Sequence, residues 1–305
     1  MVSAALCTIL IPTYQRPEFV LRALDYYARR NFPGPILIID AGTEQLRSAN
    51  AATIVRFGAQ GLAVRHIHSS APGFAAQILL GLQAVETKYT VFISDDDFVG
   101  VDFITNAVTQ LQADSTIGAV VGERLSFSVQ PEGARGTTEE IIYLKPPRQN
   151  EKSALQRIIS MEAKHAAGKQ TYNLLEAVRR SEDWQQIAEA MVKCNQTSKF
   201  EASDQFPYTL ADTFIDELLM THLTLSHGAL RTVPGLNVGL HRHAQQTGKA
   251  VFARTDAIDV LSEPRWPSAY RLYHEIVASR IAQSEGFDER DVAEALDTAA
   301  WRRMS

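Results

Sequence analysis

Residues 90–100 read TVFISDDDFVG, and the junction inside them decides the fold: the apolar run Val91-Phe92-Ile93 gives way to three consecutive aspartates, Asp95, Asp96 and Asp97. Adjacent carboxylates repel. Placing three where a buried strand emerges is unfavourable unless a cation, or a ligand that brings one, offsets the charge. A hard divalent metal binds oxygen from one or two carboxylates and fills its remaining positions with water and substrate phosphates. The stretch therefore points toward a phosphorylated substrate. It also reads as a solvated turn before the helix that begins near Val101, since Asp is a common N-cap and turn residue. The surrounding sequence has to separate the two.

Upstream, short β-rich runs at 7–11, 35–39, 64–67 and 90–93 alternate with helical patterns. These are PEFVLRALDYYARR (17–30), SANAATIVRFGAQG (48–61), whose Gly58 and Gly61 suit a helix end, and GFAAQILLGLQAVE (73–86). Alternation of this kind predicts parallel βαβ units, hence an α/β protein with an open parallel sheet and helices on both faces. Ligands of such sheets bind beyond the carboxyl ends of the strands. Pro12-Thr13-Tyr14-Gln15-Arg16, Asp40-Ala41-Gly42-Thr43, residues 69–74 and the aspartates are expected on one rim.

Downstream, VDFITNAVTQLQAD (101–114) and IGAVVGERLSFSV (117–129) form a fifth helix and strand. Residues 131–136 are turn-like and Lys145-Pro146-Pro147 is a break. NEKSALQRIISMEAKHAAG (150–168) and SEDWQQIAEAMVKC (181–194) read as helices, and TYNLLEAV (171–178) as a strand that rejoins the sheet. DTFIDELLMTHLTLSHG (212–228) is a helix stopped by Gly228, followed by a strand and loop in ALRTVPGLNVGLHRH (229–243). After Val251 the pattern is helical, interrupted by Pro264-Arg265-Trp266-Pro267 and resuming at Ala269. Trp266, Tyr270 and Tyr273 there read as helix core, with a sugar-stacking platform or dimer contact as the alternative.

The chain of 305 residues, 45% hydrophobic, suits one large or two modest domains with a packed core. A formal net charge of −5 argues against a nucleic-acid groove or an anionic membrane surface as the main partner. Two distant cysteines, Cys7 and Cys194, offer neither a disulfide framework nor zinc-finger spacing, and fit a reducing compartment. MVSAALCTILIPTYQRP lacks the basic flank of a signal peptide and reads as a first strand. No apolar run approaches the ~18 residues of a membrane span. A cytoplasmic protein is expected, with room for peripheral membrane contact or a homodimer.

TILIPTYQRP (8–17), ILIIDAG (36–42), FISDDD (92–97) and FIDELLMTHLTLSHGALRTVP (214–234) together resemble the nucleotide-sugar-dependent glycosyltransferases of family 2. The resemblance covers roughly the first half of the chain plus 212–243. It implies the GT-A fold, an open, mostly parallel sheet flanked by helices, with a helical insertion and a helical C-terminal tail. It also implies a domain over 1–250, with a nucleotide-binding half at 1–130 and an acceptor half at 131–250, and an extension at 251–305.

Carried over, Pro12, Thr13, Tyr14 and Arg16 match the family's first loop, which holds base and ribose. A ring and a guanidinium can stack on a base or pair with phosphate. Asp40 matches the carboxylate that reads the base, and the imide N–H of uracil or thymine is a donor it can accept, which favours a UDP or dTDP sugar. Without the other matches Asp40 would read as a turn former before Ala41-Gly42. Arg65, His66 and His68 read as solvated or capping residues on the third strand. The loop at Ser70 to Gly73 departs from the family pattern.

Asp97 matches the direct ligand of a Mn2+ or Mg2+ ion and Asp95 a residue facing the ribose or a metal-bound water. Alternation along an extended segment would place these two on one side and Asp96, near the sugar, on the other. Asp216-Glu217 matches the acidic pair that supplies the catalytic base, in reversed order, so the role falls to either. His243 is expected as a metal ligand and Arg242 as a phosphate contact. The implied reaction is inverting transfer from a nucleoside diphosphate sugar to a glycan or other hydroxyl acceptor. Alternatives are a nucleotidyltransferase, disfavoured because TILIPTYQRP has no glycine, and a non-catalytic nucleotide-sugar-binding protein of the same fold.

Overall fold

Strands buried on both faces read as continuous apolar runs, and three of the four early runs are of that kind. The computed structural model describes residues 2–71, 73–131, 133–144, 149, 151–166, 174–196, 210–243, 262–264 and 266–304. Strands β1 (Cys7–Thr13), β2 (Ile36–Asp40), β3 (Val64–His68) and β4 (Tyr89–Phe92) lie parallel in the order β3-β2-β1-β4. Thr13 stands in register with Asp40, so β1 and β2 end at one height, while β4 ends at Phe92 opposite Leu10 and the chain beyond it runs on toward the same rim.

Helices α1 (Pro17–Arg29), α2 (Glu44–Ala59), α3 (Phe74–Gln83) and α4 (Val101–Ala113) connect these strands and lead to the long β5 (Ile117–Gln130). One sheet face packs on α1, α2 and α4 through residues such as Leu24, Tyr27, Ile54 and Phe103. Against the other lie α3, α5 (Ala154–Ala166), α6 (Ser181–Gln196) and α7 (Leu210–Ser226). Here Gly81 is required by close approach: a Cβ at this position would come within 2.6 Å of Leu10 Cδ1. The C-terminal helices α8 (Trp266–Glu285) and α9 (Glu289–Met304) join the same core through Trp266, Tyr273, Ile281 and Leu296. Trp266 and Tyr273 are thus core residues, buried against Phe214 and His222. The helical reading of 251–261 lies outside the described residues. Among the described residues no helix is long and apolar enough to cross a membrane.

Two elements differ from expectation. The strand read at 171–178 falls later, as β7 (Val178–Arg180), inserted antiparallel between β4 and β5. Its anchors are arginines, which is why apolar patterning misplaced it. Arg179 is buried over the Trp184 ring at 4.2 Å and donates to Thr224 at 2.9 Å, while Arg180 donates to the Ile117 carbonyl at 2.7 Å. Strand β6 (Thr137–Leu144) had no counterpart in the sequence reading. Almost wholly exposed, it is held by its antiparallel ladder to β5, so burial leaves no alternation to read.

The last strand, β8 (Ala229–His241), runs parallel to β5 along most of its length. Because α7 leads through Gly228 into the start of β8, its C-terminal end sits at the amino edge of the sheet. Helix α7 runs antiparallel to α6, with His227 paired to Asp183 at 3.1 Å at one end and Asn195 3.3 Å from Asp216 at the other, so Asp216 and Glu217 lie at the end of this helix pair remote from Gly228.

Candidate active site

Thr13 closes β1 and donates its hydroxyl to Asp95 Oδ2 at 2.6 Å, so Asp40, Thr13 and Asp95 form one row across β2, β1 and the end of β4. The aspartates are not extended. The Asp97 N–H donates to the Ser94 carbonyl at 3.1 Å, closing a turn. The expected alternation is therefore corrected: one guanidinium reaches both Asp95 and Asp96. Arg16 donates from Nη2 to Asp95 Oδ1 at 2.5 Å and from Nη1 to Asp96 Oδ2 at 3.1 Å. His243 Nε2 lies 2.8 Å from the same Asp96 oxygen, and the His241 N–H donates to Asp97 Oδ1 at 2.8 Å.

All three carboxyls are nearly inaccessible to solvent. Burial pushes Asp95 up to about 7 despite Arg16 beside it. Burial and the charge of Asp96 hold Asp97 well above the usual carboxylate range. For Asp96 burial works in the same sense, but the His243 hydrogen bond and Arg16 outweigh it and leave its pKa lowered. Burial thus raises two of the three carboxyls, Asp95 and Asp97, while the His243 hydrogen bond and Arg16 lower the third.

Asp40 is fully buried and accepts three hydrogen bonds, from the Gly42 N–H at 2.8 Å, Asn50 Nδ2 at 2.7 Å and His66 Nε2 at 3.0 Å. Burial opposes ionisation, yet these donors together lower its pKa. His66 is not merely solvated or capping, which corrects its reading from sequence. Arg65 does sit at the surface, paired with Glu86 at 3.0 Å. The parallel register puts His66 beside Ile38 and His68 beside Asp40, so an imidazole one pleat below the carboxylate was the available signal.

Sequence reasoning also missed Arg22. Its guanidinium donates to the Asp96 carbonyl at 2.6 Å and the Ala134 carbonyl at 3.0 Å, and lies 3.1 Å from His241 Nδ1. The Phe19 and Phe98 rings flank it at 4.9 and 4.7 Å. It ties α1 to the aspartate turn and the end of β8. On α1 it looks like a surface arginine until that turn is folded over it.

Of the remaining candidates, Pro12 is half-buried and Tyr14 is 60% exposed at the rim, its ring open to a stacking partner. His243 joins the cluster through Asp96. Arg242 turns away to Glu140 on β6 at 2.5 Å. On α7, Asp216 is buried with Asn195 Nδ2 of α6 at 3.3 and 3.5 Å from its oxygens, and Glu217 is half-buried.

Could this set hold a divalent cation? In kind it fits. Carboxylate oxygens and an imidazole share one buried cluster, and Asp97 has no side-chain cation in hydrogen-bond contact among the described residues. Among those residues, however, no group of three or more His, Cys, Asp or Glu side chains stands ready to hold a metal ion. Arg16 occupies the oxygens of Asp95 and Asp96 instead.

The crystal structure of S. aureus TarS has a TM-score of 0.56 to this chain at 12% identity, over 98% of this chain and 43% of that one. The chain thus spans less than half of that TarS chain. S. aureus TarS 1–349 in complex with UDP-GlcNAc gives a TM-score of 0.55 at 13% identity, over 97% of this chain and 72% of the other. No curated protein matches the chain. The likeness establishes a GT-A fold, with its mostly parallel sheet flanked by helices and its helical C-terminal part. The model of the family described as glycosyl transferase family 2 matches residues 8–172, more than half of the sequence, and the chain belongs to that family.

Proposed function

We propose that the protein transfers a sugar from a nucleoside diphosphate donor to a hydroxyl acceptor, with inversion and with a divalent cation, Mn2+ or Mg2+, at the aspartate turn. The observation that carries this reading is the row Asp40, Thr13, Asp95 across three adjacent strand ends, with Asp96, Asp97, Arg16 and His243 closing on it. Residues 1–130 supply that row and form the donor half. Residues 131–250, which include α7, form the acceptor half.

The chain's own groups divide the work. Tyr14 offers an exposed ring for the base, and Asp40, itself closed off from solvent, holds the loop at Gly42 that would have to open for its carboxylate to meet the imide N–H of a pyrimidine. Arg16 has a planar fork suited to diphosphate oxygens. Asp95, Asp97 and His243 would hold the cation, whose chemistry is to neutralise charge growing on the departing nucleotide. Glu217 takes the proton of the acceptor hydroxyl. The TarS complex with UDP-GlcNAc supports a UDP sugar as donor.

A thermal-shift series with nucleoside diphosphates and nucleotide sugars, with and without Mn2+, tests the reading, because a ligand of the native state raises apparent stability. Uridine nucleotides with Mn2+ are expected to raise Tm; no shift from any nucleotide would defeat the proposal. Asp40→Ala separates base recognition from loop support. Selective loss of uridine or thymidine nucleotides, by about tenfold or more for one charge-assisted hydrogen bond, marks a base reader. Equal loss of purine nucleotides marks a purely structural carboxylate.

A further inference from the structure

Arg16 is a cation already seated on the carboxylates that a metal would need. Its fork spans Asp95 and Asp96 at 2.5 and 3.1 Å, its side chain is 20% exposed at the rim, and both partners are buried. The backbone that delivers it is unusual. Gln15 has a φ of +56°, a left-handed conformation that costs a non-glycine residue energy, and Pro17 then fixes the first turn of α1. Gln15 and Arg16 thus sit at a bend between a rigid strand and a rigid helix, where a small backbone change would carry the guanidinium a long way.

From this we infer that Arg16 is an exchangeable internal cation: it closes the aspartate turn to a bare metal ion and releases it when a diphosphate arrives to receive the guanidinium. The inference rests on the donor-binding reading of the same rim. A divalent ion and a guanidinium compete for the same carboxylate oxygens and repel one another, so metal alone must displace Arg16 into water. A diphosphate offers Arg16 an equivalent bidentate partner on the outer side of the rim. Metal and nucleotide are therefore linked, each raising the affinity for the other. Arg16 is a positioning residue here, acting on which ligand the aspartates accept and in what company.

Binding of Mn2+ alone, followed by the spin-resonance signal of the free ion, and binding of UDP in saturating Mn2+, followed by calorimetry, test the exchange on the full chain. Arg16→Gln is expected to bind Mn2+ alone about tenfold more tightly than wild type, within the usual range of such couplings, and to bind UDP with Mn2+ about tenfold more weakly. Arg16→Lys keeps the charge but cannot bridge two carboxylates, so it too should bind Mn2+ alone more tightly than wild type. Equal Mn2+ binding by wild type and Arg16→Gln, absence in both included, overturns the exchange. So does Arg16→Lys matching wild type while only Arg16→Gln tightens, since that pattern reports net charge and no bridge. Failure of wild type to bind any nucleoside diphosphate in Mn2+ strikes instead at the donor reading, and the metal-only comparison still decides the role of Arg16.

Discussion

Asp97→Asn is expected to abolish Mn2+-dependent nucleotide binding and to lower transfer by ~10²–10³-fold, the range for removing one preorganised stabiliser of transition-state charge. The amide keeps the shape of the side chain and an oxygen for the His241 N–H, which Asp97 Oδ1 accepts at 2.8 Å. It removes only the negative charge that a cation would answer. Opposite signs are expected for activity and stability. Asp97 titrates well above the ordinary carboxylate range because burial and the neighbouring charge of Asp96 disfavour its ionised form. A carboxyl whose folded pKa is raised lets the unfolded chain ionise first, so the metal-free protein loses stability as pH climbs from about 4, the unfolded value. Below that pH both states are protonated and the loss vanishes.

Asp97→Asn should therefore melt higher than wild type at pH 8 in chelator, and the gain should fade toward pH 4. Asp95, pushed up to about 7, adds to the wild-type decline over the window from about 4 to 7. Wild-type affinity for UDP and Mn2+ in the Asn variant would remove Asp97 from the metal site. A lower melting temperature at pH 8 would show that its charge is compensated in the free protein. A higher one would make the rim an instance of a site whose strain is held in place by the rest of the fold.

How much of this was legible beforehand depended on where each element finds its partner. β1, β2 and β4 were plain because they are buried on both faces and spell continuous apolar runs. β6 has no buried face and β7 is anchored by Arg179 and Arg180, so neither carries the hydrophobic signal from which strands are read. The aspartates announced themselves because like charges at a strand end need a reason. Arg22 and His66 did not, since their partners lie 74 and 26 positions away in sequence and only folding brings them together. Thr13 and Asp95, 82 residues apart, were placed on one rim by topology alone, but the hydrogen bond between them was not foreseeable. Asp216 and Glu217 were both visible as an acidic pair on a helix. What the sequence left open was which of the two turns inward.

Glu217→Gln is expected to leave nucleotide-sugar binding close to wild type and to reduce transfer by ~10²-fold or more, the effect of losing a positioned proton acceptor. Consecutive residues on a helix point about 100° apart, and Asp216 is the buried one, set against Asn195 of α6. Glu217 is half-buried and is the more accessible residue of the pair. Asp216→Asn preserves an acceptor for Asn195 and should cost less than ~10-fold, with any effect showing first in melting temperature. Single-turnover rates with donor and metal saturating separate the two, because they report the chemical step without the binding one. A Glu217→Gln rate equal to wild type beside an inactive Asp216→Asn would exchange their roles. Full activity in both would leave the pair a structural turn of α7, and direct displacement would have to draw its base from another side chain of the acceptor half.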